Sequence, residues 1–359
     1  MAEIGVFEIA ALGAFGCALL VGVLVVLTMG WHGRFSLDTD VGVQKFHDVP
    51  TPRIGGVALV AGLAAGVVLL GQEARALLLP VLAMSTPVFL AGLWEDLTKA
   101  VSPIKRLAAA LLSGVAFVVF TGVLDPLASP LVPEGAGIVL TCVIYGAGGA
   151  LMVFALAGSA NAINIIDGFH GLAAGSLLIM SFTFAGLAGL EGDMVLAGAI
   201  CVFAASVFGF MLVNFPGGYL FLGDAGAYLA GFVLGAFGIL LAARTDISAF
   251  VSILVMAYPT YETLFSIIRK FRRPGYSPMR PDSVHLHMLV SRCFGRFVAF
   301  GLDRPSWKNP LTGVMMWPFS LVAACLAILA QGTNLGGVIG LVVFVLFYLR
   351  IYRLVSFRA

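Results

Sequence analysis

The sequence predicts an all-α, polytopic membrane protein, and three observations carry that prediction. Sixty per cent of the 359 residues are hydrophobic and 11% are charged, with a mean hydropathy of +1.06, whereas a soluble domain carries charge on roughly a quarter of its residues. Eleven apolar runs are each long enough to cross ~30 Å of hydrocarbon as a helix. The cations are unevenly placed between those runs. The five cysteines, Cys17, Cys142, Cys201, Cys293 and Cys325, fall in apolar runs or in a basic loop, and an odd number of them implies no disulfide framework.

Taken in order, the runs lie near 9–29, 55–71, 77–94, 107–123, 138–157, 172–190, 194–213, 225–243, 249–268, 309–330 and 335–352. The first follows an acidic N-terminus and reads as a retained span, not a cleaved signal. The second is Gly-rich and short. An odd number of crossings puts the termini on opposite sides. With the N-terminus outside, all of the 20 Lys and Arg residues except Arg75 and Arg244 face the cytoplasm, as the positive-inside bias requires. The outward connections are short, apart from 124–137, and the inward ones are longer and hold the chemistry.

Residues 161–171, Asn-Ala-Ile-Asn-Ile-Ile-Asp-Gly-Phe-His-Gly, interrupt the apolar pattern most sharply. If helical, Asn161, Asn164 and Asp167 step by three and span an arc of about 120°, so they converge on one ion or polar head; a polar loop between two spans is the plainer reading. The first inward loop sets Arg53 beside two prolines and two glycines, and it reads equally as a solvated anchor. Glu95 and Asp96 end the third crossing, where adjacent carboxylates need a metal ion or a cation beside them, or serve as caps. Lys105 and Arg106 begin the fourth. Asp224, between Gly223 and Ala225-Gly226, is a helix N-cap or a ligand for Mg²⁺ whose other ligands are substrate phosphates. The last inward loop is strongly basic, and His285 and His287 share a face only if extended. Arginines for phosphates, with the histidines as hydrogen-bond donors, fit it better than zinc does.

Five segments together, Pro-Thr-Pro-Arg-x-Gly-Gly at 50–56, the acidic pair at 95 and 96, Asn-x-x-Asn-x-x-Asp-Gly from 161, Phe-Leu-Gly-Asp-x-Gly at 221–226 and Pro-Asp-x-x-His-x-His at 281–287, resemble the polyprenyl-phosphate N-acetylhexosamine-1-phosphate transferase superfamily. The likeness covers a motif-bearing core of about 45–290 within a single membrane domain, 1–359. It implies transfer of a HexNAc-1-phosphate, GlcNAc-1-phosphate or a related sugar, from a UDP-sugar to undecaprenyl phosphate, with release of UMP and initiation of a cell-envelope polysaccharide. It also implies a bacterial inner membrane, a periplasmic N-terminus, a cytoplasmic C-terminus and an active site at the cytoplasmic face. The bilayer is a further partner, no nucleic acid is expected, and a homodimer is left open.

By the same resemblance Asp224 and Asn164 hold Mg²⁺, with Mn²⁺ as a substitute. Asp96, Glu95, Asp224 and Lys105 are the catalytic set, Lys105 matching a lysine nine residues beyond the acidic pair. Asn161, Asp167, Arg53, His285, His287, Arg280 and Asp282 bind the substrates. Four positions depart from the family pattern: Glu95 and Glu262 stand for aspartates, His170 for the second aspartate of an Asp-Gly-x-Asp-Gly pattern, and Met288 for a third histidine. Two other readings are a phospho-MurNAc-pentapeptide transferase and a lipid or nucleotide-sugar transporter. A carrier should place ionisable groups at mid-membrane, whereas here they gather at one face, with little but Glu262 inside an apolar run.

Overall fold

Residues 2–38, 50–272, 284–295, 301, 305–330 and 333–357 are described by a computed structural model of the chain. Every expected apolar run is helical, as it must be where no water satisfies the backbone. The helices are α1 (Ala2–Leu27), α2 (Met29–Ser36), α3 (Gly55–Leu69), α4 (Gln72–Thr98), α5 (Pro103–Thr121), α6 (Leu124–Ala128), α7 (Ile138–Ile166), α8 (Leu172–Leu190), α9 (Met194–Asn214), α10 (Gly223–Arg244), α11 (Ala249–Val255), α12 (Ala257–Phe271), α13 (Leu286–Val290), α14 (Lys308–Leu329) and α15 (Asn334–Ser356). Among the described residues nine helices are long and apolar enough to cross a membrane. The other two expected crossings differ. The pair α11 and α12 is bent by 80° at a break, and α3, with 15 residues, reaches only about 22 Å.

Helix starts follow local chemistry. Ser102, Asp193, Ser248 and Thr333 each accept a hydrogen bond from the first turn of α5, α9, α11 and α15, which satisfies an otherwise orphaned N–H. Asp193 also takes a bidentate pair from Arg244 at 2.6 and 3.2 Å, tying α9 to the C-terminus of α10.

The axis of the fold is α10, of whose apolar window 83% is buried. It packs on α3, α4 and α7, and glycines allow the approach. A Cβ on Gly92 would lie 2.6 Å from the Ala225 Cα, and one on Gly56 would lie 2.4 Å from the Gly226 nitrogen. Small residues bring backbones together where lipid offers no hydrophobic drive.

The N-terminus of α10 and the C-termini of α4, α7 and α9 meet at one end of the bundle. Two-residue strands β1 (Leu37–Asp38) and β2 (Thr51–Pro52) pair antiparallel there. From β2 the chain is stitched to the loop before α10: Phe221 N–H donates to Pro52 O at 2.8 Å, and the N–H groups of Gly55 and Gly56 donate to Phe221 O and Leu222 O at 2.9 Å. Segments about 170 residues apart in sequence thereby form one surface.

Packing this tight predicts that Gly92→Leu, which inserts a side chain against α10, costs ~1–3 kcal/mol and sharply lowers the yield of monodisperse protein in detergent. Gly158→Ala is the control, since a Cβ there meets nothing within 4 Å, and its thermal midpoint should match the parent's. Equal midpoints for both variants would contradict the close-approach account.

Candidate active site

The junction of these segments encloses a cavity of about 460 Å³, within the range of small-molecule sites. Its floor is built on Asp224, the second residue of α10, which is 7% exposed. Asn164 Nδ2 donates to Asp224 Oδ1 at 3.0 Å, a guanidinium nitrogen of Arg53 donates to the same oxygen at 3.3 Å, and Arg106 pairs with Oδ2. An amide and two cations thus converge on one carboxylate.

Beneath it lies Asp96, fully buried on the last turns of α4. Its Oδ1 accepts from the Asp224 N–H and its Oδ2 from the Ala225 N–H, both at 2.9 Å, and Arg53 Nε donates to Oδ1 at 3.1 Å. The carboxylate therefore caps α10 from another helix, where the helix dipole favours a negative charge. The geometry needs Gly223: its φ is +72°, and a Cβ there would lie 2.7 Å from Asp96 Oδ2 and 2.0 Å from the Arg53 carbonyl. Burial works against the charge on Arg53, but Asp96, Asp224 and Asp38 hold its proton more firmly than usual.

Arg53, Glu95, Asn164, Asp167, Asp224, His285 and His287 all line the cavity. Glu95 accepts the Val101 N–H at 2.7 Å and so folds the loop between α4 and α5. Asp96 is not on the cavity wall; it organises Asp224 from below. Asn161 is also away from the wall. One turn further into α7, its amide donates to Ala157 O at 2.8 Å. The three-residue spacing brings Asn164 and Asp167 together, but α7 ends at Ile166, so the arc does not extend through all three.

Lys105 stands apart from these residues. It is exposed and does not line the cavity; the cation that reaches Asp224 is its neighbour Arg106, because consecutive helical residues point about 100° apart. Arg280 and Asp282 lie outside the described residues, as does 39–49 of the first inward loop.

Two further groups could not be read from spacing. Asn214 accepts the Gly171 N–H at 2.7 Å and donates to Leu220 O at 2.8 Å, locking the 161–171 turn to the loop before α10. Lys99, in the left-handed region at φ +55°, lines the cavity and donates to Leu37 O at 2.9 Å. His170, at the position where an aspartate was expected, bonds through Nδ1 to Pro216 O at 3.2 Å. Met288, which stands for a third histidine, is buried and lines the wall.

His285 and His287 do share a face, although the segment is not a strand. His285 is the extended N-cap of the one-turn α13, and its ring stacks parallel on that of His287 at 5.4 Å. His287 is completely buried at the cavity wall, and burial, against the pull of Glu262, pushes its pKa down to about 4. It is therefore a neutral ring at pH 7, with one donor and one acceptor nitrogen. Neither nitrogen has a hydrogen-bond partner among the described residues. Asp167, also on the cavity wall, is pushed up to about 7 by burial and by the Asp224 charge, with Arg53 pulling the other way.

No group of three or more His, Cys, Asp or Glu side chains arranged to hold a metal occurs among the described residues. The oxygens that gather here, from Asp224, Asp167 and the Asn164 amide, are hard donors of the kind Mg²⁺ accepts through one or two carboxylates plus phosphate and water.

Against known proteins, the sequence model of glycosyl transferase family 4 matches residues 78–242. A probable undecaprenyl-phosphate N-acetylglucosaminyl 1-phosphate transferase of Bacillus subtilis is 30% identical over 266 residues, covering 72% of this chain and 69% of that protein. A decaprenyl-phosphate N-acetylglucosaminephosphotransferase of Mycolicibacterium smegmatis is 30% identical over 85% of both chains. A phospho-N-acetylmuramoyl-pentapeptide-transferase of Rubrobacter xylanophilus is 31% identical over 53% of this chain and 61% of its own.

The raised Asp167 pKa makes a sign-specific prediction. The unfolded carboxyl loses its proton near pH 4 and the folded one near 7, so the folded state binds more protons between those values and loses stability as pH rises through that window. Asp167→Asn removes the penalty. At pH 8 the substrate-free variant should be more stable than the parent by on the order of 1 kcal/mol, and the gap should close toward pH 4. Thermal midpoints across that range check this, and a gap independent of pH would refute it.

Proposed function

The chain belongs to glycosyl transferase family 4, and from that premise we propose that it transfers N-acetylglucosamine 1-phosphate from a UDP-sugar to a polyprenyl phosphate, undecaprenyl phosphate in a bacterial inner membrane. A phosphate oxygen of the lipid bonds to the sugar-bearing phosphorus of the donor. The bridging P–O bond of the diphosphate breaks, and UMP leaves with its electron pair. The observation that supports this reading best is the convergence of Arg53, Arg106 and Asn164 on the single carboxylate of Asp224 at the floor of a cavity of about 460 Å³.

Phosphoryl transfer asks a protein for positioning and for neutralisation of spreading negative charge. Asp224 with the Asn164 carbonyl would hold Mg²⁺, which neutralises charge on the donor diphosphate. Arg53 and Arg106 sit where they can turn from Asp224 toward phosphate oxygens, and a guanidinium grips these in bidentate fashion. Asp96 fixes the direction of Asp224 through its backbone N–H. Neutral His287 can donate a hydrogen bond to a polar donor substrate without placing a further charge in the pocket. Such a site lies where a dissolved donor and a membrane-embedded acceptor meet, and the cation bias of the connecting loops supports a cytoplasmic position for that end.

Asp224→Ala should insert and fold normally yet release no UMP above background in an assay with Mg²⁺, undecaprenyl phosphate and UDP-N-acetylglucosamine; retained turnover would contradict its assignment. Arg106→Ala should lower kcat by roughly 10²-fold or more, while Lys105→Ala stays within about threefold of the parent. The reverse order would return the role to Lys105. A panel of UDP-sugars with mass detection of the lipid product tests the donor, and turnover only with the muramoyl-pentapeptide donor would overturn the N-acetylglucosamine reading.

A further inference from the structure

Glu262 is fully buried on α12, yet it lies beyond the cavity wall and contacts none of the phosphate-facing groups. Its Oε1 takes His285 Nδ1 at 2.9 Å and the Leu286 N–H at 3.2 Å, and its Oε2 takes the Tyr348 hydroxyl at 2.6 Å. Burying a carboxylate is costly unless its oxygens are satisfied, and here three donors from two distant segments satisfy it. Tyr348 belongs to α15, the C-terminal helix, and is itself fully buried. One turn on, Tyr352 donates to Val284 O at 3.1 Å, and Arg269 bonds both that carbonyl, at 3.0 Å, and the Tyr352 hydroxyl, at 2.7 Å. The segment that carries the two histidines is thus pinned at Val284, His285 and Leu286.

Beyond the pins, the chain of contact runs inward. The His285 ring stacks on His287, and His287 meets Phe169 edge-on at 5.7 Å and borders Gly168, whose Cβ would lie 3.4 Å from Nε2. His287 lines the cavity, and both of its ring nitrogens are buried without a hydrogen-bond partner among the described residues.

We propose that Glu262 and Tyr348 are positioning residues that hold the His285–His287 pair in register for the nucleotide-sugar donor, so that the C-terminal helix, which bears none of the five motifs, sets donor affinity. The proposal rests on the transferase reading for the identity of the donor. It also accounts for a glutamate at 262 in place of the family's aspartate. The Glu262 side chain spans from α12 to both the histidine segment and α15.

The test uses the full-length protein in lipid nanodiscs, with UDP-N-acetylglucosamine and undecaprenyl phosphate varied separately. Tyr348→Phe, which removes one hydroxyl, should raise the donor KM roughly tenfold while kcat and the lipid KM stay within about twofold. Glu262→Gln keeps hydrogen-bonding atoms at both ends and should stay within about threefold of the parent. Glu262→Leu should weaken the donor at least as much as Tyr348→Phe, and the two changes together should be no worse than Glu262→Leu alone, because they break one connection. Donor and lipid KM rising together, or multiplicative losses in the double variant, would mean a general packing defect and overturn the proposal. Direct binding of UDP-N-acetylglucosamine, measured by calorimetry, separates the two readings. Binding without UMP release, weakened tenfold by Tyr348→Phe, would sink the transferase reading and keep the positioning one. An unchanged binding constant in Tyr348→Phe, or no binding by the parent, would sink the positioning one.

Discussion

A carboxylate buried at the end of a membrane helix must be neutralised, and the way Asp96 meets that demand organises this protein. Both of its oxygens accept backbone N–H groups at the start of α10, and one also receives Arg53. The N–H it binds belongs to Asp224, whose side chain points into the cavity. Fixing the backbone of that residue fixes the carboxylate on which Asn164, Arg53 and Arg106 converge. The same interaction draws the segment after β2 against the loop before α10, because Arg53 bridges Asp96 and Asp224. Polar satisfaction in a low-dielectric setting and construction of the site are here a single event.

The glycines express the same constraint sterically. Asp96 can reach the α10 terminus only because Gly92, one turn earlier on α4, lets the helices touch, and because Gly223 takes a backbone conformation that an L side chain resists. Gly56 does likewise for α3. The glycines of the 50–56 and 221–226 segments are thus in part packing devices that let three helix ends share one small volume.

Satellite anchors complete the pocket from the outside. Asn214 holds the 161–171 turn, Glu95 folds its own loop through Val101, and Glu262 with Tyr348 holds the histidine segment. Each of these anchors is bonded to backbone or to another anchor, while burial shifts Asp167 and His287, which line the cavity, toward their neutral forms.

The sequence by itself determined the class of fold, the apolar runs, the bias of cations to one side and the five motif segments. Those properties are local, since a helix in lipid is dictated by an unbroken apolar stretch and a motif by its residue types. It also placed Asp224, Asn164, Asp167, Arg53 and the two histidines in one site through resemblance, and all of them line one cavity. Only the tertiary structure decided that Asp96 lies behind that wall, that Arg106 and not Lys105 faces Asp224, that Asn161 turns back on its own helix, and that Glu262 belongs to the histidines. The physical reason is rotational. Adjacent residues on a helix diverge by about 100°, so which of them meets a neighbour depends on how that helix is rotated and where its partner's backbone comes closest, and contacts between distant segments such as α12 and α15 leave no periodicity in the string.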